Sequence, residues 1–97
     1  LEKEQKSRST RMVRDSIDGA LLEIATFYRD VMMVQSGEAD SMINTDMREA
    51  IESYAAKYPA HSTVNKITAI MEARTNLAHS AAPLVTCEAL MCRLAKP

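Results

Sequence analysis

The sequence is poor in turn formers: two glycines and three prolines in 97 residues, one of the prolines being the last residue. Hairpins and sheets need such residues in number, so an all-β fold is excluded. A basic excess is also missing. Twelve Lys and Arg stand against thirteen Asp and Glu, a formal net charge of -1. That balance argues against a dedicated nucleic-acid or anionic-membrane binder. No apolar run approaches the roughly 18 residues of a membrane span. The catalytic signatures are lacking too: there is no G-x-x-x-x-G-K-[ST], G-x-G-x-x-G, H-E-x-x-H or G-x-S-x-G. Cysteine is scarce, and Cys87 and Cys92 lie too far apart for a C-x-x-C zinc pair. With no secretory signal before them, they read as small core residues in a reducing, cytoplasmic setting. His61 and His79 do not complete a metal site, and no cofactor is implied. The first residue is Leu rather than Met, so the chain reads as a piece of a longer protein, cut within a helix.

What is present is an ordinary globular composition, 46% hydrophobic and 26% charged. A chain of this length forms at most one domain and buries roughly 60–65% of its unfolded surface, enough for one modest core. Residues 1–12 are a charged lead-in, the end of an interdomain linker or the start of a helix. Residues 13–97 are expected to form a single helical domain.

The periodicity predicts helices throughout. At 100° per residue, Val13, Ile17, Ala20, Leu21, Ile24, Phe27, Tyr28, Val31 and Val34 fall in one arc about 140° wide. This long amphipathic helix should end near Ser36, with Gly37 as a left-handed cap. Its length, about 36 Å, suits a spine for shorter helices. Glu38 to Asn44 form the longest connector. Asn44 or Thr45 is expected to cap a second helix carrying Met47, Ile51, Tyr54, Ala55 and Tyr58, which Pro59 stops. Ser62 is the expected cap of a third helix reaching about His79, with Val64, Ile67, Ile70, Met71, Leu77 and Ala78 as its apolar stripe. Ser80 and Pro83 suit the start of a fourth helix, Leu84 to about Ala95, which is apolar almost all round and therefore expected at the centre. The predicted fold is all-α: a compact bundle of four to five helices, one of them long and N-terminal.

Three constellations stand out. The first, a nucleophile–base pair of Cys87 and His79, weighs less than its alternative of a core thiol and a histidine complementing a helix dipole. The second is Arg74, in the middle of one apolar stripe, and Glu88, similarly placed on the next helix. A charge left alone there would cost several kcal/mol, so a mutual, partly buried ion pair is expected; the alternative is that each reaches solvent separately. The third is the back of the long helix, where Leu22, Thr26, Arg29 and Met33 form a strip opposite the main stripe. Apolar residues around an arginine on a polar face suit a subunit contact. Isolated exposed residues, or cover by another helix of the bundle, are its alternatives.

The order of several short motifs carries a resemblance. Phe27-Tyr28-Arg29-Asp30-Val31, then Gln35-Ser36-Gly37 and Ile43-Asn44-Thr45-Asp46, resembles the F-Y-R-D-hydrophobic, Q-x-G and I-N-x-D series of the C-terminal domain of bacterial DNA polymerase III delta prime subunits. Ile70 to Leu77 resembles its I-x-E-A-R-x-x-L helix, and Ser80 to Leu90 its N-x-x-P-x-L-x-x-E-A-L stretch. Ser80 stands where the family often has Asn, and Cys87 where it often has a larger aliphatic residue. The related gamma/tau subunit has a domain of similar architecture. The resemblance implies the collar module of a clamp loader: a non-catalytic oligomerisation domain, touching the C-terminal domains of gamma/tau and delta and contacting no nucleic acid or membrane itself. The ATPase-like modules of such a subunit lie outside this sequence. The other reading of the residues is a stand-alone helical bundle that binds a partner helix in a groove.

Overall fold

The structure is a computed structural model that describes residues 2–79 and 82–96, with side chains from Arg11 onward. Helix α1 spans Glu2–Gln35, α2 Arg48–Lys57, α3 Ala60–His79 and α4 Pro83–Leu94; single 3-10 turns at Ala39–Ser41 and Thr45–Met47 lie between α1 and α2. No strand occurs among the described residues. The all-α bundle with one long first helix is therefore the fold.

Helix α1 sets the length of the molecule. Its 34 residues rise about 51 Å, close to the 54 Å long dimension of the domain. It ends as expected. Gly37 has φ +82°, Gly37 N–H donates to Val34 O, and Glu38 N–H donates to Met33 O. This is a Schellman closure, which an L side chain at that φ would strain.

The spine serves two cores. Leu21 and Ala25, with Ile17, Ile24 and Tyr28 beside them, pack against Ala69, Ile70, Ala73 and Leu77 of α3 and Leu90 of α4. Farther along, Val31 packs with Met42 of the connector and Ile51 of α2, flanked by Phe27, Val34, Tyr54 and Ala55. Because the two neighbours lie on different sides, the buried face of α1 swings round the helix. Ala25, about 100° from Ile24, is buried, whereas Val13 of the expected arc is 41% exposed. Phe27, Tyr28 and Tyr54 meet edge-to-face with centroids 5.5–5.8 Å apart, the arrangement ring quadrupoles favour. Burial, with Tyr28 adjacent, pushes the Tyr54 phenol well above its usual range.

Several sequence expectations are corrected. Helix α3 begins at Ala60, so Ser62 lies inside its first turn and is not its cap. Its buried face is Ser62, Thr63, Lys66, Ala69, Ile70, Ala73 and Leu77. That face lies about a quarter turn from the expected stripe, and Val64 and Met71 are 47% and 40% exposed. Asn44 makes no side-chain cap; its amide is used elsewhere. Helix α4 is not central. Of its residues only Pro83 and Leu90 are fully buried, because α4 packs on one side alone. Cys92 is exposed and Cys87 half-buried, both as free thiols, so neither is a core residue. Pro83 does occupy the first turn of α4, preceded by Ala82; Ser80 lies outside the described residues.

Candidate interaction surface

Three polar side chains, Asp30 and Lys66 buried and Gln35 half-buried, tie the bundle together before any surface is presented. Asp30 on α1 is fully buried. Its carboxylate accepts hydrogen bonds from the backbone N–H of Ile43 at 2.9 Å, from that of Asn44 at 2.8 Å, and from Asn44 Nδ2 at 2.8 Å. Arg29 donates to it at 3.2 Å and also to Ser41 O at 3.2 Å. Burial alone would raise the Asp30 carboxyl. The donors from Ile43 and Asn44 and the nearby Arg29 charge outweigh it and hold the group below the usual carboxylate range. Gln35 Nε2 donates to Tyr58 O at 2.8 Å and Ala55 O at 3.4 Å, covering carbonyls at the C-terminal end of α2. Lys66 Nζ, on α3, donates to Leu94 O and Lys96 O, each at 2.6 Å. A cation there complements the negative end of the α4 dipole.

The strip chosen on α1 is divided by these tethers. Leu22 is 43% exposed. Thr26 Oγ1 donates back to Leu22 O at 2.8 Å, and Met33 is half-buried. Arg29 is committed to Asp30 and Ser41. Sharing Thr26 with the strip is a groove of about 500 Å³ lined by Glu23, Ile24, Thr26, Phe27, Tyr28, Asn44 and Met47. Met47, 43% exposed, and Ile43, 59% exposed, lie on the connector that Asp30 pins down.

The expected Arg74–Glu88 pair is not formed. Arg74 Nε donates to Asp18 of α1 at 2.8 Å, and Nη2 donates to the other oxygen at 3.4 Å. This hydrogen-bonded guanidinium holds the Asp18 carboxyl below its ordinary range. The quarter-turn shift of α3 explains the change of partner: it moves Arg74 from the centre of the buried face to the edge beside α1. Arg93 of α4 pairs instead with Glu72 of α3 at 2.7 Å.

Glu88 lies on the outside of α4. At 100° per residue it sits about 160° from buried Leu90. Around it are Leu84 and Val85, 65% and 64% exposed, and Met91, 44% exposed, with exposed Cys92 and Ala95 completing the arc. One side of α4 thus fills the first core while the other offers apolar side chains to solvent. Sequence reasoning missed this second face because a helix apolar on both sides reads as central. The one charge in its middle was the signal.

Other chemistry is sparse. His79 is the last residue of α3. Among the described residues no three His, Cys, Asp or Glu side chains gather to hold a metal ion. No helix is long and apolar enough to cross a membrane among the described residues.

Residues 13–90 match the family model described as DNA polymerase III, delta subunit, C terminal. The chain belongs to this family. It is 36% identical over 50 residues to DNA polymerase III subunit delta' of Bacillus subtilis (strain 168), an alignment covering 52% of the chain and 15% of that relative. No solved structure matches. The family match takes in α2, α3 and the greater part of α1 and α4. It therefore includes all three tethering residues and the exposed turns of α4 from Leu84 to Leu90.

Proposed function

We propose that the chain is a non-catalytic oligomerisation module, of collar type, from a delta prime-like subunit of the DNA polymerase III clamp loader, and that it acts in the cytoplasm in loading sliding clamps during replication. The observation that carries this reading is the outward apolar face of α4. A domain with its own cores and a second apolar helix face is built to be covered by another chain. Family membership supports a place in the clamp-loader complex, and the partners in this reading are the C-terminal domains of the other subunits, gamma/tau and delta. The strip of Leu22, Thr26, Arg29 and Met33 supplies a second, smaller contact, in which Leu22 touches the neighbour and Arg29 keeps the connector in place. Arg74, paired to Asp18, is internal scaffolding. Nucleic acid is contacted elsewhere in the complex.

The test is assembly. Reconstituted clamp loader carrying Leu84→Asp in this domain should lose the subunit on size exclusion, with its helical circular dichroism unchanged because Leu84 lies outside the cores. Full retention of the subunit would refute the α4 assignment. A stand-alone bundle binding an unrelated helix would instead fail to co-purify with clamp-loader subunits in its wild-type form.

A further inference from the structure

The outer face of α4 carries a specification of what covers it. The helix is 12 residues long, about 18 Å. Its exposed arc runs from Met91 and Leu84 through Ala95 and Glu88 to Cys92 and Val85, about 120° wide at 100° per residue. Glu88 lies at the middle of this arc, and at the middle of the helix lengthwise. It is exposed and has no hydrogen-bond or ion-pair partner among the described residues. The nearby cation on the same helix, Arg93, is engaged with Glu72 at 2.7 Å. Lys66 is engaged with the α4 carbonyls.

Any chain that covers Leu84, Val85 and Met91 must also cover the carboxylate between them. An ionised carboxylate removed from water without a partner costs several kcal/mol. A second copy of this helix is a poor occupant. Two copies related by a two-fold axis at the helix centre would set one Glu88 against the other, and like charges in contact repel. A helix bearing a cation at the centre of its own apolar face satisfies the carboxylate and the apolar residues together.

We infer that the outer face of α4 binds an amphipathic helix of a different chain that places a lysine or arginine against Glu88, and that Glu88 at the same time excludes a second copy of this domain. The inference rests on the proposed oligomerisation role and adds its selectivity.

Reconstituted clamp loader is the test system, with the other clamp-loader subunits as the probe. Four forms of the subunit are compared: wild type, Leu84→Asp, Glu88→Gln and Glu88→Lys. Affinity is read by co-elution, and occupancy of α4 by alkylation of Cys92, which the free subunit exposes and the covered face hides. Leu84→Asp and Glu88→Lys should each weaken assembly tenfold or more and leave Cys92 open to alkylation, whereas Glu88→Gln should weaken assembly by a smaller factor and Cys92 should be protected in the wild-type complex and in whatever Glu88→Gln complex still forms. Loss with Leu84→Asp but an affinity within twofold of wild type for Glu88→Lys overturns the inference and leaves the oligomerisation role standing. No effect of Leu84→Asp overturns α4 as the docking face and both readings built on it. Self-association of the subunit alone, with Cys92 protected, overturns the exclusion of a second copy.

Discussion

Removing the Asp30 carboxylate is the most informative single perturbation of this domain. The group is fully buried and accepts three hydrogen bonds at 2.8–2.9 Å from Ile43 and Asn44. Hydrogen bonds to a charged acceptor contribute roughly 1.5 kcal/mol each at the low end, about 4.5 kcal/mol together. Two effects reduce that loss in Asp30→Ala. The desolvation of the carboxylate is no longer incurred. The freed donors also reach water, since Ile43 is exposed and Asn44 half-buried. A net loss of about 3 kcal/mol remains, which at an m-value of about 1.5 kcal/mol/M moves the urea midpoint by about 2 M. Asp30→Asn should recover little, because an amide has one acceptor oxygen and turns its NH2 toward donors. The folded carboxyl is held below its ordinary range, so its contribution is complete above about pH 5, a unit over the unfolded value near 4, and is lost as pH falls from there through the folded value. The wild type should therefore lose stability below about pH 5 more steeply than Asp30→Asn. Urea unfolding followed by circular dichroism measures the loss, and amide exchange at Ile43 and Asn44 locates it. A loss under about 0.5 kcal/mol in Asp30→Ala, at unchanged m-value, would refute the reasoning.

Further outcomes are expected elsewhere in the bundle. Thr63 is buried with its hydroxyl unpartnered, so Thr63→Val should raise stability by about 0.5–1 kcal/mol in the same unfolding assay. Lys66→Met should cost about 1–2 kcal/mol and speed amide exchange in the last turn of α4, because it uncovers the carbonyls of Leu94 and Lys96. Gly37→Ala should cost about 1 kcal/mol through backbone strain at φ +82° rather than through a clash, since an added Cβ meets nothing within 4 Å. A calorimetric scan distinguishes it from Ser36→Ala, which should leave the melting temperature nearly unchanged.

What the sequence made legible was the part governed by local rules. The α1 stripe, the Gly37 closure, the stop at Pro59 and the entry of Pro83 depend on backbone preference and period, and each is where those rules place it. What it hid depends on which side a neighbour chooses. Asp30 falls on the polar side of α1 by period, yet it is buried because the connector folds back over that side. Lys66, Ser62 and Thr63 are polar, so the apolar period places the α3 stripe a quarter turn away, on Val64, Ile67 and Met71. On that apolar face Arg74 points toward Glu88, whereas the true face sets it beside Asp18. The apolar arc of α4 was visible as composition, but whether it faced inward or outward was not. The motif order Arg29-Asp30 then Ile43-Asn44 was legible throughout. Its reason, a carboxylate gripping two main-chain N–H groups, became visible only in three dimensions.

The three tethers share a feature that bears on how such a domain can drift in sequence. Asp30, Gln35 and Lys66 each hold main-chain atoms of their target, those of Ile43 and Asn44, of Ala55 and Tyr58, and of Leu94 and Lys96. Main-chain atoms are the same whatever the side chain. One half of each of these main-chain bonds is therefore indifferent to substitution, except that proline at 43 or 44 would delete a donor; position 44 is the exception, because Asn44 Nδ2 adds a side-chain bond to Asp30. Apart from Asn44, the gripped segments are free to vary their side chains, and so to adapt to a changing neighbour, while the main-chain grip depends on only three codons.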